Sequence, residues 1–223
     1  LSVTERCNLH CAYCRAADGD CPKARELSAD QFTRIVKVFA KLGIRKVRLT
    51  GGEPLLRKDI LQIVQNIAAI DGINELSMTT NAQQLDGRAA ILKQAGLDRV
   101  NISMDSLKPE RFKEMCGGDL DLVFKGIEES MAAGLTPVKI NVVLIHGKNV
   151  DEVDDFIEFT RTNPVDVRFI ELMPMGRLGQ DKSLQVNNTE LINARPHLKP
   201  LVPRYPSQPS RDYKVDGYLG RVG

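Results

Sequence analysis

A surplus of either charge is missing from this sequence: 31 Lys and Arg stand against 29 Asp and Glu, a net of +2. So small a balance gives no global field to draw in nucleic acid or a membrane surface, and an anionic ligand must be held by local basic residues. Long hydrophobic runs are missing as well. The longest apolar stretches, such as residues 140–145, have the length of a strand and fall far short of the roughly 20 residues that cross a bilayer. No basic segment leads into an apolar one at the start, so there is no secretion signal to read. The expectation is a cytoplasmic protein with neither nucleic acid nor membrane among its partners. Cysteine is absent after Cys116. The five present are Cys7, Cys11, Cys14, Cys21 and Cys116, an odd number with four inside fifteen residues. That distribution does not suit a secreted disulfide framework; in a reducing compartment a cluster so tight points to a metal.

What is present is strand and helix patterns in alternation. A chain of 223 residues buries roughly 70% of its unfolded surface and needs no covalent staple. Apolar, β-branched runs occur at 1–4, 46–50, 75–80, 99–104, 138–145 and 166–173. Ser28 has the character of an N-cap for a helix to about Leu42, with Phe32, Ile35, Val36 and Phe39 on one face and Gly43 just past its end. Further helical spacing covers 58–69, 87–95, 120–133 and 150–162. Strand–helix alternation predicts an α/β fold with parallel strands joined by right-handed crossovers. Periodicity alone leaves open a doubly wound sheet or an open (β/α)6 barrel. In both, ligands bind at the C-terminal ends of the strands. The unusual residues sit there: the cysteines, then Gly51-Gly52-Glu53-Pro54, Thr79-Thr80-Asn81, and Ser103 with Asp105. Residues 174–223, with Pro200, Pro203, Pro206 and Pro209, predict a long irregular tail. Both ends read as cut, the first inside a strand pattern and the last at Gly223 with no closing element.

Cys7, Cys11 and Cys14 form C-x3-C-x2-C. Three thiolates on one loop can hold three irons of a four-iron–four-sulfur cluster, leaving the fourth iron open to a ligand, as in reactive rather than structural metal sites. A four-cysteine zinc site with Cys21 as fourth ligand is the alternative, and ordinary buried cysteines a second. Cys116 reads as a structural thiol in or near a helix.

C-x3-C-x2-C with Tyr13 before the last cysteine, followed at the end of the next strand by Gly51-Gly52-Glu53-Pro54, resembles the radical S-adenosylmethionine superfamily. Within it, the stretches 1–8, 46–57, 79–81, 99–107, 137–141 and 168–176 are similar to the GTP 3′,8-cyclase family, also called molybdenum cofactor biosynthesis protein A, in that family's order. The resemblance implies a partial (β/α)6 TIM-like barrel over residues 1–173 and an irregular C-terminal extension over 174–223 that begins a second-cluster region. It implies a 4Fe-4S cluster on Cys7, Cys11 and Cys14, and a second in the full-length enzyme. S-adenosylmethionine would meet Gly52, Glu53, Thr79, Ser103, Lys139 and Met173; GTP would meet Tyr13, Lys46, Arg48 and Arg168. The implied reaction converts GTP to its 3′,8-cyclised dihydro product in the first step of molybdenum cofactor biosynthesis. Implied partners are GTP, an electron donor such as flavodoxin or ferredoxin, the downstream cyclic pyranopterin monophosphate synthase, and a second copy in a homodimer. Alternatives are a peptide-modifying or glycyl-radical-activating member of the superfamily, or a zinc-bound module without catalysis. The sequence departs from the family at Ala82, where Gly is usual, and at Arg15-Ala16, where Met-Pro is common.

Overall fold

The computed structural model describes residues 1–14, 26–174, 176–203 and 210–223. Cys21, Arg15, Ala16, Met175, Pro206 and Pro209 fall outside them. In chain order the main elements are α1 (Ala29–Lys41), β1 (Lys46–Leu49), α2 (Ile60–Ala68), β2 (Glu75–Thr80), α3 (Ala89–Gln94) and β3 (Arg99–Ser103). Next come α4 (Pro109–Cys116), α5 (Leu120–Ala132), β4 (Lys139–Leu144), α6 (Val153–Thr162) and β5 (Asp166–Glu171). The chain closes with α7 (Gly176–Gly179), α8 (Asn188–Asn193), β6 (Lys199–Pro200), β7 (Tyr213–Lys214) and β8 (Arg221–Val222). The described residues form two compact units. One draws on Leu1–Leu9, Asp18–Ser103 and Asp121–Val138, the other on His10–Ala17, Met104–Leu120 and Lys139–Gly223.

In the first unit β1, β2 and β3 are parallel, with Lys46 beside Glu75, Arg48 beside Ser77, and Thr79 beside Asn101. Side chains alternate across a strand, so one sheet face carries these polar residues. Val47, Leu49, Leu76, Met78, Val100 and Ile102 lie on the other face and are buried. The first strand pattern yields only a parallel bridge of Ser2 to Thr50. Helix α1 begins as its sequence dictates. Ser28 Oγ accepts from the Gln31 amide at 3.3 Å, and the Gln31 side chain accepts from the Ser28 amide at 2.9 Å, closing a capping box. Gly43, at φ +95, sits in the left-handed conformation that follows many helices. The expected apolar face needs one correction. Phe32, Val36 and Ala40, four apart, are buried, whereas Phe39 is 48% exposed together with Val38, Leu42 and Ile44. The buried stripe follows the i, i+4 row, and Phe39 lies beyond its edge.

Arg57, 5% exposed, ties this unit together. Its Nη1 donates to Val3 O at 2.7 Å and its Nη2 to Leu27 O at 2.9 Å. Both Nε and Nη2 donate to the Asp59 carboxylate, at 2.8 and 2.7 Å, and the guanidinium stands 5.5 Å from the Phe32 ring centre. Ala82 takes φ +60 while fully buried, a conformation costing an L-residue roughly 1–2 kcal/mol. This is the position where the resembling family usually has Gly.

In the second unit β4 and β5 are parallel along their whole length. The C-terminal stretch is less irregular than its prolines suggest. Strand β8 lies parallel to β5, with the Arg221 amide donating to Val165 O at 3.0 Å and the Gly223 amide to Val167 O at 2.8 Å. Strands β7 and β6 follow antiparallel. Each of the three is two residues long. Pro200 closes β6 and cannot extend a ladder. The architecture is thus α/β with parallel strands and intervening helices, as the alternation predicts. Among the described residues no helix is long and apolar enough to cross a membrane.

Candidate functional site

In the first unit the Gly51-Gly52 turn after β1 is pressed against the chain's N-terminal segment. The Gly52 amide donates to Thr4 O at 2.8 Å and the Glu53 amide to Arg6 O at 2.7 Å. A Cβ on Gly52 would stand 2.0 Å from Arg6 O, and one on Gly51 2.5 Å from Thr4 O. Neither position admits a side chain without moving backbone. Gly52→Ala should therefore cost about 1–3 kcal/mol, the usual penalty for overpacking, read as a lowered denaturant midpoint with the helical signal retained. An unchanged midpoint would mean that the turn yields freely.

Glu53 turns its side chain inward and is 1% exposed. Oε1 accepts from the Leu55 amide at 3.0 Å and the Thr80 hydroxyl at 2.7 Å, and Oε2 accepts from the Asn81 amide at 2.7 Å. Burial pushes this carboxyl above the usual range even against those donors. Its carboxylate thereby joins the turn after β1 to the end of β2. Asn81, at that end, donates to Asn8 Oδ1 at 2.9 Å and lies 3.8 Å from Cys7 Sγ. The sequence marks Asn81 as an unusual strand-end residue within a family-like stretch; its contact with a cysteine seventy-four positions away leaves no local signal. Thr79 and Ser103 are half-buried at the ends of β2 and β3. Lys46 and Arg48 are exposed, and Lys46 pairs with Glu75 at 3.2 Å. Glu75 also takes Arg99 at 2.5 Å. Burial would raise the Glu75 carboxyl, but Arg99 and then Lys46 hold it below its ordinary value.

In the second unit the segment after Leu9 docks on the end of α4. The His10 amide donates to Cys116 O and the Ala12 amide to Met115 O, each at 3.0 Å, while the Cys14 amide donates to Cys11 O at 2.9 Å. Tyr13 Oη donates to Asp105 Oδ2 at 2.7 Å, and Asp105 Oδ1 accepts from the Val143 amide at 2.8 Å. Burial of Asp105 outweighs both donors and pushes its carboxyl up to about 6. The Tyr13 phenol is pushed well up by burial and then by Asp105. Asn149, fully buried, donates to Asp105 O at 2.7 Å and Val143 O at 2.9 Å. Glu152, also fully buried, accepts from Ser106 Oγ and the Leu107 amide, each at 2.7 Å. Cys11 is raised by its hydrogen bond to Cys116, by burial and by Asp105, while Cys116 is lowered by the same bond. Cys116 is buried at the end of α4, the structural place expected for it. Lys139 is buried with Nζ 4.0 Å from Asp166 Oδ2. Arg168 has a buried Nε without a hydrogen-bond partner among the described residues, and the Met173 side chain is exposed.

The residues expected to bind thus divide. Cys7, Lys46, Arg48, Gly52, Glu53, Thr79 and Ser103 belong to the first unit, and Tyr13, Cys11, Cys14, Lys139, Arg168 and Met173 to the second. Cys7 and Cys14 are exposed, Cys11 is half-buried, and none is in a disulfide. Among the described residues no three His, Cys, Asp or Glu side chains are already gathered around a metal position. The donor chemistry nonetheless suits an iron–sulfur cluster: three reduced thiols, two of them open to solvent, close together in sequence on a segment held by backbone bonds. Cluster binding would have to draw the thiols in and displace their protons.

The family model of the Radical SAM superfamily matches residues 1–160. A GTP 3′,8-cyclase of Alkaliphilus oremlandii is 48% identical over 227 aligned residues, which take in 100% of this chain and 71% of that protein. Among solved structures, that of SuiB from Streptococcus suis superposes with a TM-score of 0.66 at 20% identity, covering 86% of this chain and 44% of that one. The structure of anSMEcpe with bound AdoMet superposes at 0.63 with 18% identity, covering 82% and 53%. At such identities the structural likeness bears on fold alone, and it agrees with the partial TIM-like barrel class expected from the sequence.

Proposed function

Because the chain belongs to the GTP 3′,8-cyclase family of the radical SAM superfamily, we propose that its own residues bind a 4Fe-4S cluster, S-adenosylmethionine and GTP for the cyclisation that opens molybdenum cofactor synthesis. The observation that carries this is the presence of three reduced cysteines at C-x3-C-x2-C spacing together with a Gly-Gly turn that no side chain can enter. Cys7, Cys11 and Cys14 would hold the cluster, which when bound supplies the electron that cleaves S-adenosylmethionine to methionine and a 5′-deoxyadenosyl radical. The chain's part is to bind, orient and exclude water. Gly51, exposed at the turn, leaves backbone that the methionine moiety can approach. Thr79 and Ser103 offer hydroxyls at the strand ends. Glu53 fixes the turn from behind. Lys46, Arg48 and Arg168 provide the local positive charge that a triphosphate needs in a protein of net charge +2. The Arg168 Nε, unpartnered among the described residues, is a donor still to be used. A flavodoxin- or ferredoxin-type donor, a cyclic pyranopterin monophosphate synthase and a second copy of the chain complete the partners of this reading.

Anaerobic reconstitution tests it. The chain should take up about four irons and show the broad brown absorbance of a cubane cluster. After reduction with dithionite it should release 5′-deoxyadenosine from S-adenosylmethionine. Stoichiometric zinc with no iron in protein made under iron-replete conditions would instead identify a zinc module.

A further inference from the structure

Asp105 is a buried carboxylate for which the proposed chemistry has no use. It is 2% exposed and lies just past β3, beyond the strand-end residues expected to bind. Both its oxygens are spent inside the protein, Oδ2 on the Tyr13 hydroxyl and Oδ1 on the Val143 amide. Its backbone is equally committed, since Asn149 bridges Asp105 O and Val143 O while accepting from the Ile145 amide at 2.8 Å. The next residue, Ser106, is locked by Glu152. Asp105 is therefore a fixed post, and among the described residues the group it holds that is not itself part of this scaffold is Tyr13. Tyr13 lies between Cys11 and Cys14, on the segment tied to the end of α4 by two backbone bonds and by the hydrogen bond of Cys11 to Cys116. A carboxylate receiving a phenol at 2.7 Å in a water-poor setting makes a stronger bond than a neutral pair.

The geometry points to Asp105 as a positioning residue: through Tyr13 it presets the cysteine segment 10–14 for its ligand before any ligand binds. The inference rests on the proposed reading only for what that ligand is. An interior carboxylate that merely stabilised the fold would act on the whole unit. One that acts through Tyr13 is felt first by the amides of His10, Ala12 and Cys14.

Hydrogen exchange on the cluster-free chain separates the two. Loss of a charge-assisted hydrogen bond, on the order of 1.5–3 kcal/mol, corresponds to roughly tenfold or greater acceleration of exchange in the segment it restrains. Asp105→Ala and Tyr13→Phe should each produce it in residues 10–14, with β4 and β5 exchanging as before. The double variant should be no faster than Asp105→Ala alone. Asp105→Asn should restore most of the protection, because its amide keeps an oxygen for Val143 N–H and an N–H for the Tyr13 oxygen. If Asp105→Ala does not fold, Tyr13→Phe, which removes one hydroxyl, decides. Unchanged exchange in 10–14, or acceleration spread evenly over the chain in Tyr13→Phe, overturns the inference. In reconstituted protein, loss of iron to a chelator should follow the same order of variants. A wild-type chain that takes up no iron defeats the cluster reading, and the exchange result still decides the role of Asp105.

Discussion

Simultaneous replacement of Cys7, Cys11 and Cys14 by Ala should take reconstituted protein from about four bound irons to none, and 5′-deoxyadenosine release to background. The fold should survive, because Cys7 and Cys14 are exposed and Cys11 only half-buried. Their removal opens no sizeable cavity, and the backbone bonds of His10 and Ala12 to α4 do not depend on sulfur. Iron content, visible absorbance and far-ultraviolet circular dichroism read the outcome together. Iron retained by the triple variant would place the cluster elsewhere. Changing Cys116 alone is a useful contrast: it is buried, donates to Phe112 O at 3.0 Å, and should cost stability rather than iron.

Arg57→Ala should destabilise the first unit by about 1–3 kcal/mol, the cost of leaving buried hydrogen-bonding groups without their partner, since the partly exposed Asp59 can turn to water. The change strands two backbone carbonyls and empties the space over the Phe32 ring. Arg57→Lys should recover only part of the loss. A single ammonium cannot hold Asp59 through two nitrogens while reaching both Val3 O and Leu27 O. Urea unfolding measures both variants; a loss under about 1 kcal/mol for Arg57→Ala, the range of exposed pairs, would show that the network is dispensable.

The elements legible in the sequence were those fixed by local chemistry. Ser28 and Gln31 announce their capping box, Gly43 its left-handed turn, and the apolar runs at 75–80 and 166–173 their strands. The cysteine spacing and the Gly-Gly turn marked the candidate site, because a thiol or an absent side chain is visible as a letter. What stayed hidden depends on pairings distant along the chain. Phe39 satisfies a helical pattern yet faces outward, since the neighbours of α1 decide which row is covered. Nothing near Tyr13 signals Asp105, ninety-two residues on. Glu53 shows the same limit. The motif does not disclose that its side-chain oxygens turn inward onto Leu55, Thr80 and Asn81. The short strands β7 and β8 escaped notice because two residues carry no periodicity.

The Glu53 brace has an evolutionary corollary. A buried carboxylate fed by one hydroxyl and two amides tolerates Ser at position 80, which keeps the donor, but not Val, which leaves an oxygen short. Loss of the carboxylate first would leave the Asn81 amide and the Thr80 hydroxyl seeking partners. A change at position 53 is thus felt at position 80, twenty-seven residues away. Changing both positions would still leave the Leu55 and Asn81 amides without this acceptor, so the carboxylate is the harder of the two to replace.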